Sequence, residues 1–321
     1  VISPDEFPKL EQAFSVAKEK GVLLYDIMTE RYEITTMLQR ELSKIPEVFG
    51  TLQNGTPDKP AVTKESVHHF FKYVSGSPLK RPPWYFDVKQ QGDGLVDVTT
   101  HLVDLIQWEA FPEVSLNKED IEIISAKRWT TNLTKDMFKT VTQLDEYPEY
   151  LQKDVEDGIL KVYSNGEINY KIKDIHAKVS VIWNFEAPEG TGDTHYSIMR
   201  GSKCNLIIKQ GEEQGYKPVL YIEAMSDEGL ETFEGVLDKA VNQDLDVMFP
   251  GVRLKKLEDK LWTVEIPEKY KVGHEAHFRQ VTEKYLPCLV QGELPEWEVP
   301  NMITKYYTTM SGLKAAFEAM P

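Results

Sequence analysis

The chain has 321 residues, 41% hydrophobic and 28% charged, enough to bury a sizeable core in two domains or one large α/β unit without disulfides or metal. Its 37 Lys+Arg against 52 Asp+Glu leave a formal net charge of −15, which repels phosphate backbones and anionic membrane surfaces and makes nucleic acid an unexpected partner. Two cysteines, Cys204 and Cys288, build neither a disulfide framework nor a Cys-rich zinc site, and no apolar run approaches the roughly 20 residues of a membrane span. The chain starts at Val1 rather than Met, so a preceding segment with any targeting signal is expected, and the compartment, cytoplasmic or periplasmic, stays open.

Val1-Ile2-Ser3 reads as the end of a buried strand, and Pro4-Asp5 opens a turn. From Glu6 to Lys20, Phe7, Leu10, Phe14 and Ala17 recur at three- and four-residue steps, an amphipathic helix that Gly21 is placed to cap. The unbroken run Val22-Leu23-Leu24-Tyr25 has the character of a buried parallel strand. Strand end, helix and strand form half of a doubly wound α/β unit, so the chain is expected to begin inside such a domain. Helices are predicted over Tyr32–Ile45, with Ile34, Met37, Leu38 and Leu42 on one face, over Lys64–Val74 with Thr63 as N-cap, and over Leu95–Trp108. Residues 50–62 and 75–92 are loops by their Gly, Asn and Pro content.

From Ile121 the period changes to two. Ile121–Arg128 alternates as a strand, and Leu160–Ser164 and Glu167–Ile172 flank Asn165-Gly166 as a predicted hairpin. Ala177–Phe185, Thr194–Met199, Asn205–Lys209 and Val219–Ala224 follow as strands whose short connections imply antiparallel pairing, with a hairpin turn at Gly190–Gly192. A helix over 227–243, a strand over Leu261–Ile266 and helices near 274–290 and 301–318 close the chain. Internal repeats and low-complexity tracts are absent from the sequence.

The densest candidate for chemistry runs from Gly92-Asp93-Gly94 to Trp108. Asp97, His101, Asp104 and Trp108 are spaced four, three and four, one stripe of a helix. Leu95, Val98, Leu102, Leu105 and Ile106 supply the core stripe beside it. Asp97 can fix the tautomer of His101 and raise its basicity, the pairing general acid/base chemistry uses. An Asp–His contact that only steadies the helix has the same spacing, and both readings stay open. His68-His69 diverge by about 100° on a predicted helix and do not converge on a metal. His274-Glu275-Ala276-His277 lacks the i,i+4 His pair of the His-Glu-x-x-His motif, so no metal site is expected. Trp84-Tyr85-Phe86 either stacks on a sugar ring or plugs a core edge, and Lys80 and Arg81 are too few to define an anion site.

Gly92-x-Gly94-x-x-Asp97-x-x-x-His101-x-x-Asp104-x-x-x-Trp108 resembles a segment of the glucose–fructose oxidoreductase / inositol dehydrogenase family. That family pairs an N-terminal dinucleotide-binding domain with a C-terminal α/β domain carrying a large open antiparallel sheet. The opening helix, Gly21-Val-Leu-Leu24 and Arg31 resemble the family's last α/β crossover, and Gly201-Ser202-Lys203 resembles its Gly-Thr-Lys/Glu-Gly turn, with Cys204 in place of the second glycine. The resemblance implies that His101 is the general acid/base for a substrate hydroxyl, that Asp97 is its partner, and that Asp104, Arg31, Trp84 and His195 line the substrate pocket. For Arg31 a pairing with an acidic neighbour is the other reading. The family's catalytic Lys segment and Gly-rich phosphate turn would lie before Val1, and no G-x-G-x-x-G occurs in these residues. NAD or NADP is therefore expected in the intact protein, with no cofactor bound by this chain alone.

The expected fold is α+β: a large, mostly antiparallel open sheet with helices on one face, preceded by the remnant of a Rossmann-type domain. Residues 1–30 would be that remnant, and 31–321 a substrate-binding and oligomerisation domain. The expected activity of the parent is NAD(P)-dependent oxidation or reduction of a sugar, cyclitol or related polyol hydroxyl; glycoside cleavage through transient oxidation uses the same base. The alternative is a non-catalytic module that binds or self-associates through the open sheet face. A metal-dependent hydrolase has little support in the sequence. Self-association through that face is expected of the enzyme as well, because the resemblance implies a second subunit there.

Overall fold

Two-residue alternation from residue 121 onward produces one open sheet, as expected, and the strands before it are the surprise. The computed structural model of the chain describes residues 2–74 and 77–319, so Val1 of the predicted opening strand and residues 75–76 of the predicted loop lie outside the described residues. The strands are β1 (Val62–Phe71), β2 (Tyr73–Val74), β3 (Ser77–Pro78), β4 (Ile121–Leu133), β5 (Val155–Glu156), β6 (Ile159–Ile172), β7 (Ile175–Glu186), β8 (Thr194–Arg200), β9 (Cys204–Gln210), β10 (Val219–Ala224), β11 (Arg253–Glu258) and β12 (Leu261–Glu265). The helices are α1 (Phe7–Lys20), α2 (Ile34–Ser43), α3 (Thr99–Ala110), α4 (Lys135–Thr142), α5 (Leu230–Lys239), α6 (Asp246–Met248), α7 (His274–Gln291) and α8 (Glu298–Glu318).

Ten strands form one sheet in the order β11-β12-β10-β9-β8-β1-β7-β6-β4, with β5 paired to β6; β2 and β3 form a separate small ladder. Every pairing in the large sheet is antiparallel except that of β1 with β7. Helix α2 packs on β9 and β10, α3 on β1 and β7, and α8 on β4, while α1 packs on α8. Even-numbered residues of β1 (Lys64, Ser66, Phe70) and alternate residues of β7 (Ala177, Val179, Val181, Trp183) are buried beneath the helices. The opposite face carries cross-strand ion pairs, Lys178 reaching both Glu65 and Glu167 at 3.0 Å.

Three expectations are corrected by this topology. Residues 64–74 are not a helix: Val62–Phe71 is the central strand, held on both sides by β7 and β8, and its sequence carries β-branched and aromatic residues suited to that place. Asn165-Gly166 is not a turn but the middle of the 14-residue strand β6. The Asn165 amide donates to the Trp129 carbonyl at 3.1 Å and accepts from the Trp183 backbone N–H at 2.7 Å, bridging the two neighbouring strands. A Cβ on Gly166 would stand 2.3 Å from Leu95 Cδ2, so glycine is required by close packing rather than by a turn. Gly190–Gly192 is not a hairpin, because β7 and β8 are separated by β1 and the connection crosses over it.

Val22–Tyr25 is likewise no strand; among the described residues nothing pairs with it, and Val22 is exposed. The preceding helix forms as predicted, and Gly21 caps it at φ 63°. Helix α3 starts at Thr99, four residues later than predicted, so Asp97 lies in the turn before it. Strand β11 and helix α4 are not among the predicted elements, although Thr134 caps α4 and its Phe138 and Val141 share a buried face.

That turn is seated by Gly94, whose added Cβ would meet the Ser164 carbonyl oxygen at 2.1 Å. Gly94→Ala is expected to destabilise the protein by about 1–3 kcal/mol through overpacking against backbone, read as a lower urea midpoint. An unchanged midpoint would remove close approach as the reason for this glycine.

Candidate active site

The start of α3, the helix-side face of β1 and β8, the 3-10 turn Thr29–Tyr32 and the start of α7 enclose a cavity of about 650 Å³. His101, Leu102 and Leu105 line it from α3, Ser66 and His68 from β1, Thr194 and His195 from β8, Glu30, Glu33 and Thr36 from the segment entering α2, and His274 and Glu275 from α7. Lys72, Asp193 and Gln210 complete the rim. Cross-strand register sets two of these walls: Ser66 pairs with His195 and Lys64 with Ser197.

His101 makes no side-chain hydrogen bond among the described residues, and its Nδ1 is buried without a partner. Since the ring lines the cavity, Nε2 is the nitrogen able to meet a bound molecule. Burial, only partly opposed by Glu30, Asp104 and Asp97, holds the imidazole below the usual histidine range and so neutral at pH 7. His195 is pushed down to about 3, by burial first and then by the nearby charges of Lys64 and His68. Asp97 does not hydrogen-bond His101: its Oδ1 accepts from Gln91 Nε2 at 3.2 Å, and burial pushes its carboxyl up.

Asp104, one helical turn beyond His101, is buried behind the cavity. Arg31 forks onto it (Nε–Oδ2 2.6 Å, Nη2–Oδ1 2.8 Å) and also reaches Glu298 Oε1 at 3.2 Å. Lys305 Nζ lies 3.0 Å from Asp104 Oδ1 and also bonds Asp26. Burial alone would raise the Asp104 carboxyl, but Arg31 and Lys305 outweigh it and hold it well below the usual carboxylate range. Arg31 thus pairs with acidic neighbours. Trp84 is 45% exposed and stands outside the cavity wall, while its neighbours Tyr85 and Phe86 pack on Phe70 at ring separations of 6.3 and 5.1 Å.

Sequence reasoning placed His101 and His195 in one site and missed the groups that complete it. His68 and His69 point to opposite sides of β1, yet both Nδ1 atoms reach Asp193, at 3.3 and 3.1 Å, because the crossover loop brings that carboxylate to the strand end. Lys72 bonds the same carboxylate. These partners hold Asp193 below the usual carboxylate range against the opposing effect of burial. Glu33 spends its carboxylate as the N-cap of α2, bonding Thr35 and the Thr36 backbone N–H. Glu30, Glu33 and Asp193 carry no motif in the sequence; a lone Lys305 in the α8 run Met-Ile-Thr-Lys-Tyr-Tyr was the one visible hint of a buried partner.

Two outcomes follow. Lys305→Met leaves buried acids short of a cation and is expected to cost about 3–5 kcal/mol, measured by urea unfolding. An unfolded histidine takes up its proton near pH 6.5, whereas folded His195 refuses one until about pH 3. The unfolded state therefore binds more protons in that window, and stability falls as pH drops below about 6.5. His195→Gln should flatten this acid limb in denaturation midpoints taken from pH 7 to 4.

No protein of curated function matches the chain. Among solved structures, an oxidoreductase described as putative from Parabacteroides merdae ATCC 43184 is 56% identical with a TM-score of 0.97, over 100% of this chain and 73% of that one. A similarly described oxidoreductase from Erwinia carotovora atroseptica SCRI1043 shares the fold at 10% identity and TM-score 0.58, over 98% of this chain and 70% of that one. So does KijD10, a 3-ketoreductase from Actinomadura kijaniata solved with NADP and TDP-benzene, at 13% identity and TM-score 0.50, over 94% and 65%. The family described as "Putative oxidoreductase C terminal domain" matches residues 38–317. With that match and a 56%-identical relative aligned over the whole of this chain, the chain belongs to this family of oxidoreductase C-terminal domains.

Proposed function

We propose that this chain forms the substrate half of an NAD(P)-dependent oxidoreductase acting on a hydroxyl of a sugar, cyclitol or related polyol, with His101 as general acid/base. The observation that carries this reading is the neutral, unpartnered His101 imidazole on the wall of a cavity of about 650 Å³. A base that takes a hydroxyl proton must be unprotonated at working pH and free of competing hydrogen bonds, and His101 meets both conditions. The cavity's hydroxyls, imidazoles and carboxylates (Ser66, Thr194, His68, Glu30) suit a polyhydroxylated ligand.

A nicotinamide supplies the hydride chemistry when bound. The residues present fit its reactive end: the cavity offers apolar contacts at Val98, Leu102 and Leu105 beside the orphaned His101 ring. Binding of the pyrophosphate is assigned to residues outside this sequence, and residues 1–30 are read as the end of that cofactor domain. The NADP complex of the 3-ketoreductase that shares this fold supports the choice of cofactor class. His101 then receives the hydroxyl proton in oxidation and returns it in reduction, while Asp104, Arg31 and Lys305 fix the helix that carries it. The ion-paired outer sheet face is the surface assigned to self-association.

The test uses the full-length protein that contains this chain. Titration calorimetry with NAD(H) and NADP(H) identifies the cofactor, and turnover is then followed at 340 nm across a panel of sugars and cyclitols. His101→Ala is expected to lower turnover about 10²–10⁴-fold with an unchanged melting temperature. Near-normal turnover in that variant would overturn the assignment.

A further inference from the structure

Asp97 is the carboxylate that spacing offers to His101, but its Oδ1 is taken by Gln91 and it does not line the cavity. Four carboxylates do line it. Asp193 is consumed by His68, His69 and Lys72, and Glu33 by Thr35 and Thr36. Glu275 sits on α7 at the far wall, and the remaining one is Glu30. The Glu30 carboxylate accepts no hydrogen bond among the described residues; its one close ionic neighbour there is His274 Nδ1 at 3.8 Å. Its position is fixed by the next residue: Arg31 is forked onto Asp104, which lies one turn after His101 on α3. One clamp therefore sets both the turn that carries Glu30 and the helix that carries His101.

We infer that Glu30 is the positioning carboxylate for His101, stabilising across the cavity the imidazolium that forms when His101 takes a hydroxyl proton. This inference rests on the acid/base reading of His101. The charged groups facing His101 are Glu30 from the 3-10 turn, Asp97 and Asp104 from its own segment and Lys305 from α8; those facing Glu30 from α7 are His274 and His277. Glu30 is the strongest of the charges that oppose the effect of burial on His101, ahead of Asp104, and Asp97 is the weakest. The proton reaches His101 from the substrate hydroxyl and leaves to water, since the Glu30 and His274 side chains are 41% and 56% exposed at the cavity mouth. Glu30 exchanges no proton with the substrate.

Histidine NMR tests the assignment without a substrate. The seven histidines are titrated from pH 4 to 8, with His101 identified by the resonance missing in His101→Gln. Glu30→Gln should lower the His101 midpoint by about one pH unit, the size expected for loss of a unit charge from the wall of a partly wet cavity. Asp97→Asn should lower it by less than half as much, and Glu30→Asp should restore most of the loss. A merely structural Glu30 would leave the midpoint in place. An unmoved midpoint in Glu30→Gln, or an equal effect of Asp97→Asn, overturns the Glu30 assignment alone. An active His101→Ala protein overturns the reading of His101 and with it the role given to Glu30.

Discussion

The buried carboxylate of Asp104 is the interaction on which the site depends. Alone in that environment it would be protonated or would unfold its surroundings, because burial disfavours its charge. It is kept ionised by a forked Arg31 and by Lys305, themselves tied to Glu298 and Asp26. The five groups come from three places: the segment 26–31, the middle of α3, and α8. Two cations serve three acids, so loss of either cation leaves a carboxylate without its partner in the interior. Such a network adds little to net stability, since desolvation cancels much of its Coulomb gain. What it does supply is geometry, for guanidinium and carboxylate meet in one orientation only. The consequence reaches the cavity, because His101 and Glu30 are each within a turn of a member of the network.

The sheet makes a second demand on the same face. β1 and β8 run antiparallel, and their register sets Lys64 against Ser197 and Ser66 against His195. Lys64 is fully buried and meets Glu109 and Ser197 at 2.8 Å each. Burial lowers the lysine and raises the glutamate, so the pair is held together by proximity in a region that favours neither charge. One pair along the strands, the polar ladder opens into the cavity through Ser66, which hydrogen-bonds His68 Nε2 at 3.0 Å. A cation beneath His195 discourages a second proton on that ring. Burial keeps the cavity's inner histidine neutral, and the pairing of two strands adds the Lys64 charge to that effect.

Much of this was legible in the sequence, and the losses have physical causes. Helices α1, α2, α7 and α8 carry apolar stripes at helical spacing, and β4, β7, β8, β9, β10 and β12 alternate, so local pattern and tertiary environment agree. Val62–Phe71 carries Thr63 and Glu65 in positions that suit a helix start; its strand character comes from being enclosed by β7 and β8, a relation that spans more than 100 residues. The pairing of β1 with β7 is parallel, and no local signal announces a parallel partner. Asn165-Gly166 is a strong turn signal locally, but here the glycine admits Leu95 and the asparagine amide bonds across to two strands. Tertiary packing overrides the dipeptide. At the site, His101 was visible because α3 carries it in a patterned segment. Glu30 and Asp193 were not, since each lies in an irregular segment and reaches the cavity only through the fold.

The change in partner for His101 shows how spacing can mislead. Asp97 and His101 are four residues apart, which on a continuous helix would stack their side chains. Helix α3 begins at Thr99 instead, after a turn in which Gly94 lies against the β6 backbone at Ser164. In that turn Asp97 accepts a hydrogen bond from Gln91, and His101 is without the hydrogen-bonded neighbour its spacing promised. A histidine in a buried wall with no hydrogen-bonded partner on its own segment is open to the charges around the cavity, and the segment that carries Glu30 on the facing wall is fixed by Arg31.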